Sequence, residues 1–196
     1  METGTRLAEI DLADRKPDKA LAALEASETP DVDPEMATRR HFIAVRAEAE
    51  AGRFAEALKR LGRDSSDPAD DLRARVQWRQ GDWKSAALTL ARITGAFPTD
   101  KLDDREADLI VRRAVALALS GNTSGIAFLR ERFGKAMEKS GRAPAFNAVV
   151  GRDPLKTEDY AALARQAAEL DTFTGLMNGI DRTPAKPAAQ TAAAIN

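Results

Sequence analysis

Two short stretches of this chain carry the same punctuation. Residues 52–58 read GRFAEAL and residues 81–88 read GDWKSAAL. In each, an aromatic follows the glycine by two residues and an alanine follows it by five: Gly52, Phe54 and Ala57, then Gly81, Trp83 and Ala86. Glycine adopts the left-handed conformation that ends a helix and reverses the chain. Alanine, five residues on, lets a returning helix approach closely. An earlier stretch, RKPDKAL, keeps the register with other residues: Arg15 holds the glycine place, Pro17 the aromatic place and Ala20 the alanine place. A chain punctuated this way is constrained to helical hairpins. One hairpin cannot bury its own apolar face, so the hairpins must stack.

The rest of the sequence agrees with helices. Apolar positions recur at helical spacing, and few stretches alternate β-branched residues as strands do. Helices are expected at about 4–15, 18–28, 35–51, 54–62, 68–80, 83–95, 103–120, 123–139 and 157–180, with a short helical turn near 143–150. Pro17 suits a first helical turn. Gly52, Gly81 and Gly121 follow helices, Ser65, Ser66 and Asp67 precede Pro68 as a cap and first turn, and Pro98 stops the helix ending near Gly95. At 43% apolar residues the chain can build a core, and 196 residues suffice for one domain or one stacked array.

These markers resemble the tetratricopeptide repeat, a helix–turn–helix unit of about 34 residues. The copy around the tryptophans carries the resemblance best: Ala74 at the small position of the first helix, Gly81 in the turn, Trp83 at the aromatic, Ala86 at the alanine, Leu90 at the large apolar position and Pro98 at the end. A fourth copy is outlined by Ala114, Leu117 and Gly121, with Thr123 and Ile126 departing from the pattern. The alanine places are unevenly spaced, Ala20 to Ala57 being 37 residues and Ala57 to Ala86 being 29, so the loops must vary. The resemblance implies an all-α fold, a right-handed α-α superhelix of antiparallel helix pairs over 4–180, with repeat-like units at 4–28, 35–62, 68–98 and 103–139. Residues 157–180 carry one apolar stripe (Tyr160, Leu163, Ala167, Leu170, Phe173, Met177, Ile180), which reads as a long C-terminal capping helix or as a helix that pairs with a partner or with itself. Residues 181–196 hold two prolines and almost no large apolar residue, which reads as a disordered tail or linker.

Catalytic constellations are missing. There are no cysteines and one histidine, His41, so no thiol nucleophile, no Cys-based metal site and no two-histidine metal site can form. His41 stands beside Arg39 and Arg40 on a polar helix surface. No phosphate-cradling glycine motif occurs. SGNTSG at 120–125 falls where an interhelical turn is expected. The acidic pairs Asp70-Asp71 and Asp103-Asp104 fall near helix starts, where they complement the helix dipole. The formal net charge of −1 gives no bulk attraction for nucleic acid, and no apolar run is long enough to cross a membrane. No cofactor is expected. The compartment stays open: cytoplasmic if the opening methionine is native, periplasmic as an option if the chain is a fragment.

The arginines are more informative. In the family, the first helix of each unit lines a concave groove. Carried over on the glycine register, that places Arg39, Phe42, Arg46 and Glu50 on the groove, followed by Asp71, Arg75, Trp78 and Arg79. Trp78 then faces a ligand while Trp83 faces the core. Arginine forks bind carboxylates in a bidentate way and tryptophan offers an anchor. The expectation is a non-enzymatic protein-interaction scaffold whose groove binds a peptide or helix, one of acidic character. The plainer reading of the same residues is a solvated face paired with Glu48, Glu50 and Asp71. The architectural alternative is a structural C-terminal segment that caps a longer helical-repeat protein and has no ligand groove of its own.

Overall fold

The computed structural model describes residues 2–30 and 32–151. Among these, nine helices succeed one another: α1 (Glu2–Ala13), α2 (Pro17–Ala26), α3 (Pro34–Glu50), α4 (Phe54–Leu61), α5 (Asp67–Gln80), α6 (Trp83–Gly95), α7 (Asp104–Leu119), α8 (Thr123–Met137) and α9 (Ala143–Val150). The helices expected up to residue 139 are all present, their ends shifted by no more than two residues. The expected helix at 157–180 and the tail at 181–196 lie outside the described residues.

The helices pack in sequential pairs: α1 on α2, α3 on α4, α5 on α6 and α7 on α8, each pair also touching the next. Four turns close these pairs, and all four have one geometry. Arg15, Gly52, Gly81 and Gly121 take positive φ of 58°, 76°, 78° and 70°. The following residue then donates its N–H five residues back, Lys16 to Asp11 at 2.7 Å, Arg53 to Glu48 at 2.8 Å, Asp82 to Gln77 at 2.9 Å and Asn122 to Leu117 at 2.8 Å. That satisfies a carbonyl the helix end would leave orphaned. The same four residues accept from Ala20, Ala57, Ala86 and Ile126, which starts the second helix of each pair. Arg15 thus occupies the glycine place in fact, although that conformation costs a non-glycine residue roughly 1–2 kcal/mol.

The alanine places explain the close pairing. Ala20, Ala57 and Ala86 are wholly buried. In the fourth pair Ile126 is only half-buried, and the tight contact moves one residue back: a Cβ on Gly125 would come within 2.6 Å of Leu117 Cδ2.

The core of the described residues runs as three clusters, the first two each spanning a pair and the first helix of the next. Ala8, Leu12, Ala20 and Leu24 meet Ile43, Ala44 and Ala47, and Val45, Ala49, Ala57 and Leu61 meet Ala69 and Val76. The third joins α5 to α9 and holds Ala74, Ala86, Leu90, Ala114, Phe133 and Phe146. Phe54 packs half-buried at the edge of the second cluster. Two expectations change here. The helical turn near 143–150 is a full helix whose Phe146, Val149 and Val150 are buried, so α9 closes the last described pair by packing on α7 and α8. Trp83 packs half-buried against the third cluster, and so does Trp78, which it meets edge to face, their centroids 5.1 Å apart. The two indoles share one site at the turn of α5 and α6, where they were expected to face apart.

Helix starts are fixed by side chains where the sequence supplies them. Asp33 accepts from Met36 N–H, Asp82 from Ser85 N–H and Asn122 from Gly125 N–H, and Asp103 with Glu106 forms a reciprocal capping box. Asn122 of the SGNTSG turn is therefore a helix cap. Ser66 does not cap α5 with its side chain; its N–H binds Asp64 Oδ1 at 2.9 Å.

Candidate partner-binding surface

The first helices of the first three pairs are neighbours, α1 touching α3 and α3 touching α5. The turn register therefore brings residues two to thirteen places before each turn onto neighbouring helices. Arg46 and Glu50 of α3 and Arg79 of α5 are exposed, and so is Arg15 in the turn of the first pair. The positive fields of Arg46, Arg79 and Arg15 all fall on the Glu50 carboxyl. Glu50 reaches solvent, yet the protein crowding it desolvates it enough to raise its pKa, and the three arginines only partly offset that rise. None of the three arginines makes a direct ion pair with a described residue. Three guanidiniums thus act on one carboxylate across the first three pairs.

The other arginines expected on the groove are already paired. Arg39 holds Glu9 of α1 through two hydrogen bonds of 2.8 Å, a fork that ties the first two pairs together. Arg75 pairs with Asp71 of its own helix at 2.9 Å. Phe42 is half-buried on the core cluster of α3 to α5, its ring 5.4 Å from His41, edge on. Trp78 keeps part of its surface in solvent beside Trp83. Glu48 is not a groove residue: it is buried, and Arg60 of α4 grips its Oε1 at 2.9 and 2.5 Å. Of the eight residues expected on this face, Arg46, Glu50 and Arg79 influence one another electrostatically, and Arg15 joins them. The signal for Arg15 was its hold on the glycine place, which puts its side chain at the same turn.

A second ionic cluster stands between α5 and α6. Asp70, in the first turn of α5, is 5% exposed and accepts two hydrogen bonds from Arg92, at 2.9 and 2.8 Å, and one from Arg73. Arg73 also donates to the carbonyls of Gly62 and Asp64 at 3.2 and 2.7 Å. The Arg92 hydrogen bonds, above all, hold the Asp70 carboxyl below its usual range, against the opposing effect of burial. Asp70 was expected only to complement the helix dipole; it also bolts two helices together. An open depression of about 500 Å³ beside it is walled by Arg73, Leu88 and Arg92, but both arginines are committed to Asp70.

No protein-family model, curated protein or solved structure matches this chain. Among the described residues no helix is long and apolar enough to cross a membrane.

Proposed function

We propose that the chain is a non-enzymatic scaffold of tetratricopeptide type, its helix pairs stacked as a right-handed superhelix, and that it docks an acidic peptide or helix of a partner protein along α1, α3 and α5. The observation that carries this reading is that the charges of Arg46, Arg79 and Arg15 all act on Glu50 while none of the three forms an ion pair with a described residue. An acidic segment would supply carboxylates to these exposed guanidiniums. Trp78, half-open beside them, is the apolar anchor. Arg46→Glu/Arg79→Glu reverses the field without touching a buried residue. Binding of a fluorescein-labelled oligoglutamate peptide, followed by anisotropy, is expected to weaken at least tenfold in the variant while its circular dichroism stays that of the wild type. Full retention of binding would remove the groove.

A specific observation supports the architectural reading as a second one. In the later pairs, the residue five places before the turn (Ala47, Val76, Ala116) is buried, and Ala47 and Val76 pack in the clusters shared with the preceding pair. Its counterpart in the first pair, Ile10, is 59% exposed, and Leu7, counterpart of buried Ala44, is exposed too. A neighbouring helix pair stacked on α1 would cover both, as the repeated register covers the others. If so, the wild type should self-associate with rising concentration in sedimentation velocity, and Leu7→Glu/Ile10→Glu should stay monomeric with unchanged helicity. A wild type that remains monomeric throughout would leave the stacked neighbour without support.

A further inference from the structure

The turn register also exposes a cluster that occurs twice, once without its anion. In the third pair, Asp70 lies eleven residues before Gly81, Arg73 eight before it and Arg92 eleven after it. In the fourth pair the same places before and after Gly121 hold Ile110, Arg113 and Arg132. Both arginines recur and the carboxylate does not. Arg113 and Arg132 anchor on consecutive residues at the end of α6: Arg113 Nη1 donates to Thr94 Oγ1 at 3.0 Å and Arg132 Nη2 to the Gly95 carbonyl at 2.9 Å. Aromatic rings lie against both, Phe128 5.8 Å from Arg113 and Phe133 5.1 Å from Arg132. Neither forms an ion pair with a described residue, and the Nε of each is buried with no hydrogen-bond partner. The Nε–H of Arg92, at the place of Arg132, donates a hydrogen bond to Asp70 Oδ2.

We infer that Arg113 and Arg132 form a binding site for the carboxylate of a ligand, which takes the part that Asp70 plays one pair earlier. The arrangement is costly as it stands. Two guanidiniums are brought near each other in partly desolvated surroundings, and burial together with Arg132 depresses the Arg113 pKa. A carboxylate bridging their Nη groups relieves the repulsion between the two guanidiniums. Ile110 is wholly buried, so the ligand enters from the solvent side. There Phe128, 48% exposed, offers an apolar wall, so the site favours a carboxylate carried on an aliphatic stem. This site is separate from the Arg15, Arg46 and Arg79 face.

The test is ¹H–¹⁵N spectroscopy of the arginine Nε–H groups during titration of the full chain with sodium propionate, against matched sodium chloride. The expected result is saturable shifts confined to Arg113 and Arg132, weaker for acetate and absent for chloride. Arg132→Gln should abolish the Arg113 response, and Ile110→Asp, which restores the internal acid, should reproduce the shifted signals and remove the response to propionate. Arg46→Glu/Arg79→Glu should leave the response intact, which separates this site from the groove. Shifts that track ionic strength alike in both salts, a response that survives Arg132→Gln, or a response to methyl phosphate without one to propionate would each overturn the inference. Arg132→Gln changes a part-exposed side chain, so the test does not depend on Ile110→Asp folding.

Discussion

Asp70→Asn should lower the free energy of unfolding by about 2–4 kcal/mol at neutral pH. The substitution keeps the shape and removes the charge that Arg92 and Arg73 both engage. Arg73 is nearly buried and would be left without its carboxylate; half of the Arg92 side chain reaches solvent, so its share must be discounted for screening. The carbonyls of Gly62 and Asp64 still hold Arg73, which keeps the cost below that of an isolated buried charge. The pH dependence has a definite sign. The folded Asp70 pKa lies below its unfolded value, which is about 3.9. Its contribution is therefore complete above that unfolded value and is lost as pH falls through the folded one. Urea unfolding of wild type and variant at neutral pH and in steps into the acid range below about pH 4 should show the gap closing as the medium acidifies. A gap that stays constant across that range would mean that the ion cluster does not set it.

The turns were legible because one short-range rule governs each of them. A reversal between close helices needs a positive φ, glycine supplies it most cheaply, and backbone hydrogen bonds then fix the register of the returning helix. That is why even Arg15, chemically unlike glycine, could be placed by alignment alone, and why helix ends fell within a turn of their expected positions. The ionic contacts were not legible in the same way. Asp70 and Arg73 are a visible helical pair, but Arg92 joins them from another helix, and its fork depends on the angle at which α6 packs on α5. Arg39 likewise reaches Glu9 across pairs, so it is no longer a free cation of the groove. Glu48 was misplaced for a related reason: helical spacing put it near Arg46, whereas packing turned it inward to Arg60.

The tryptophans mark the limit of a face-by-face reading. Their separation of five residues spans a helix end, a left-handed turn and a helix start, so no single helical period relates them. The turn folds the second indole back on the first, and both become half-buried. An aromatic pair of that kind is worth about 0.5–1.5 kcal/mol beyond its buried area. It stiffens the hairpin next to Arg79, so the exposed part of Trp78 is presented on a fixed element. The same logic ties the two cationic sites to the fold. Of the arginines proposed to dock a partner, Arg15 sits in turn one and Arg46 and Arg79 sit before turns two and three, while Arg113 and Arg132 flank turn four, so both sets depend on the turn register for their position.

Phe146→Ala should cost about 3–5 kcal/mol. Phe146 is buried to 1% exposure with Val149 and Val150 in the cluster that also holds Phe133 and Met137. A helix of eight residues is not stable by itself, so α9 exists through these contacts. Removing the ring leaves a cavity under α9 and loosens the α7–α8 pair it covers, the pair that carries Arg113 and Arg132. The loss should thus be global: a lower urea midpoint, with faster amide exchange from Phe146 to Val150 and also through Leu129 and Phe133. Faster exchange confined to α9 at an unchanged midpoint would show instead that α9 is an appendage, and that α7 and α8 close their own core without it.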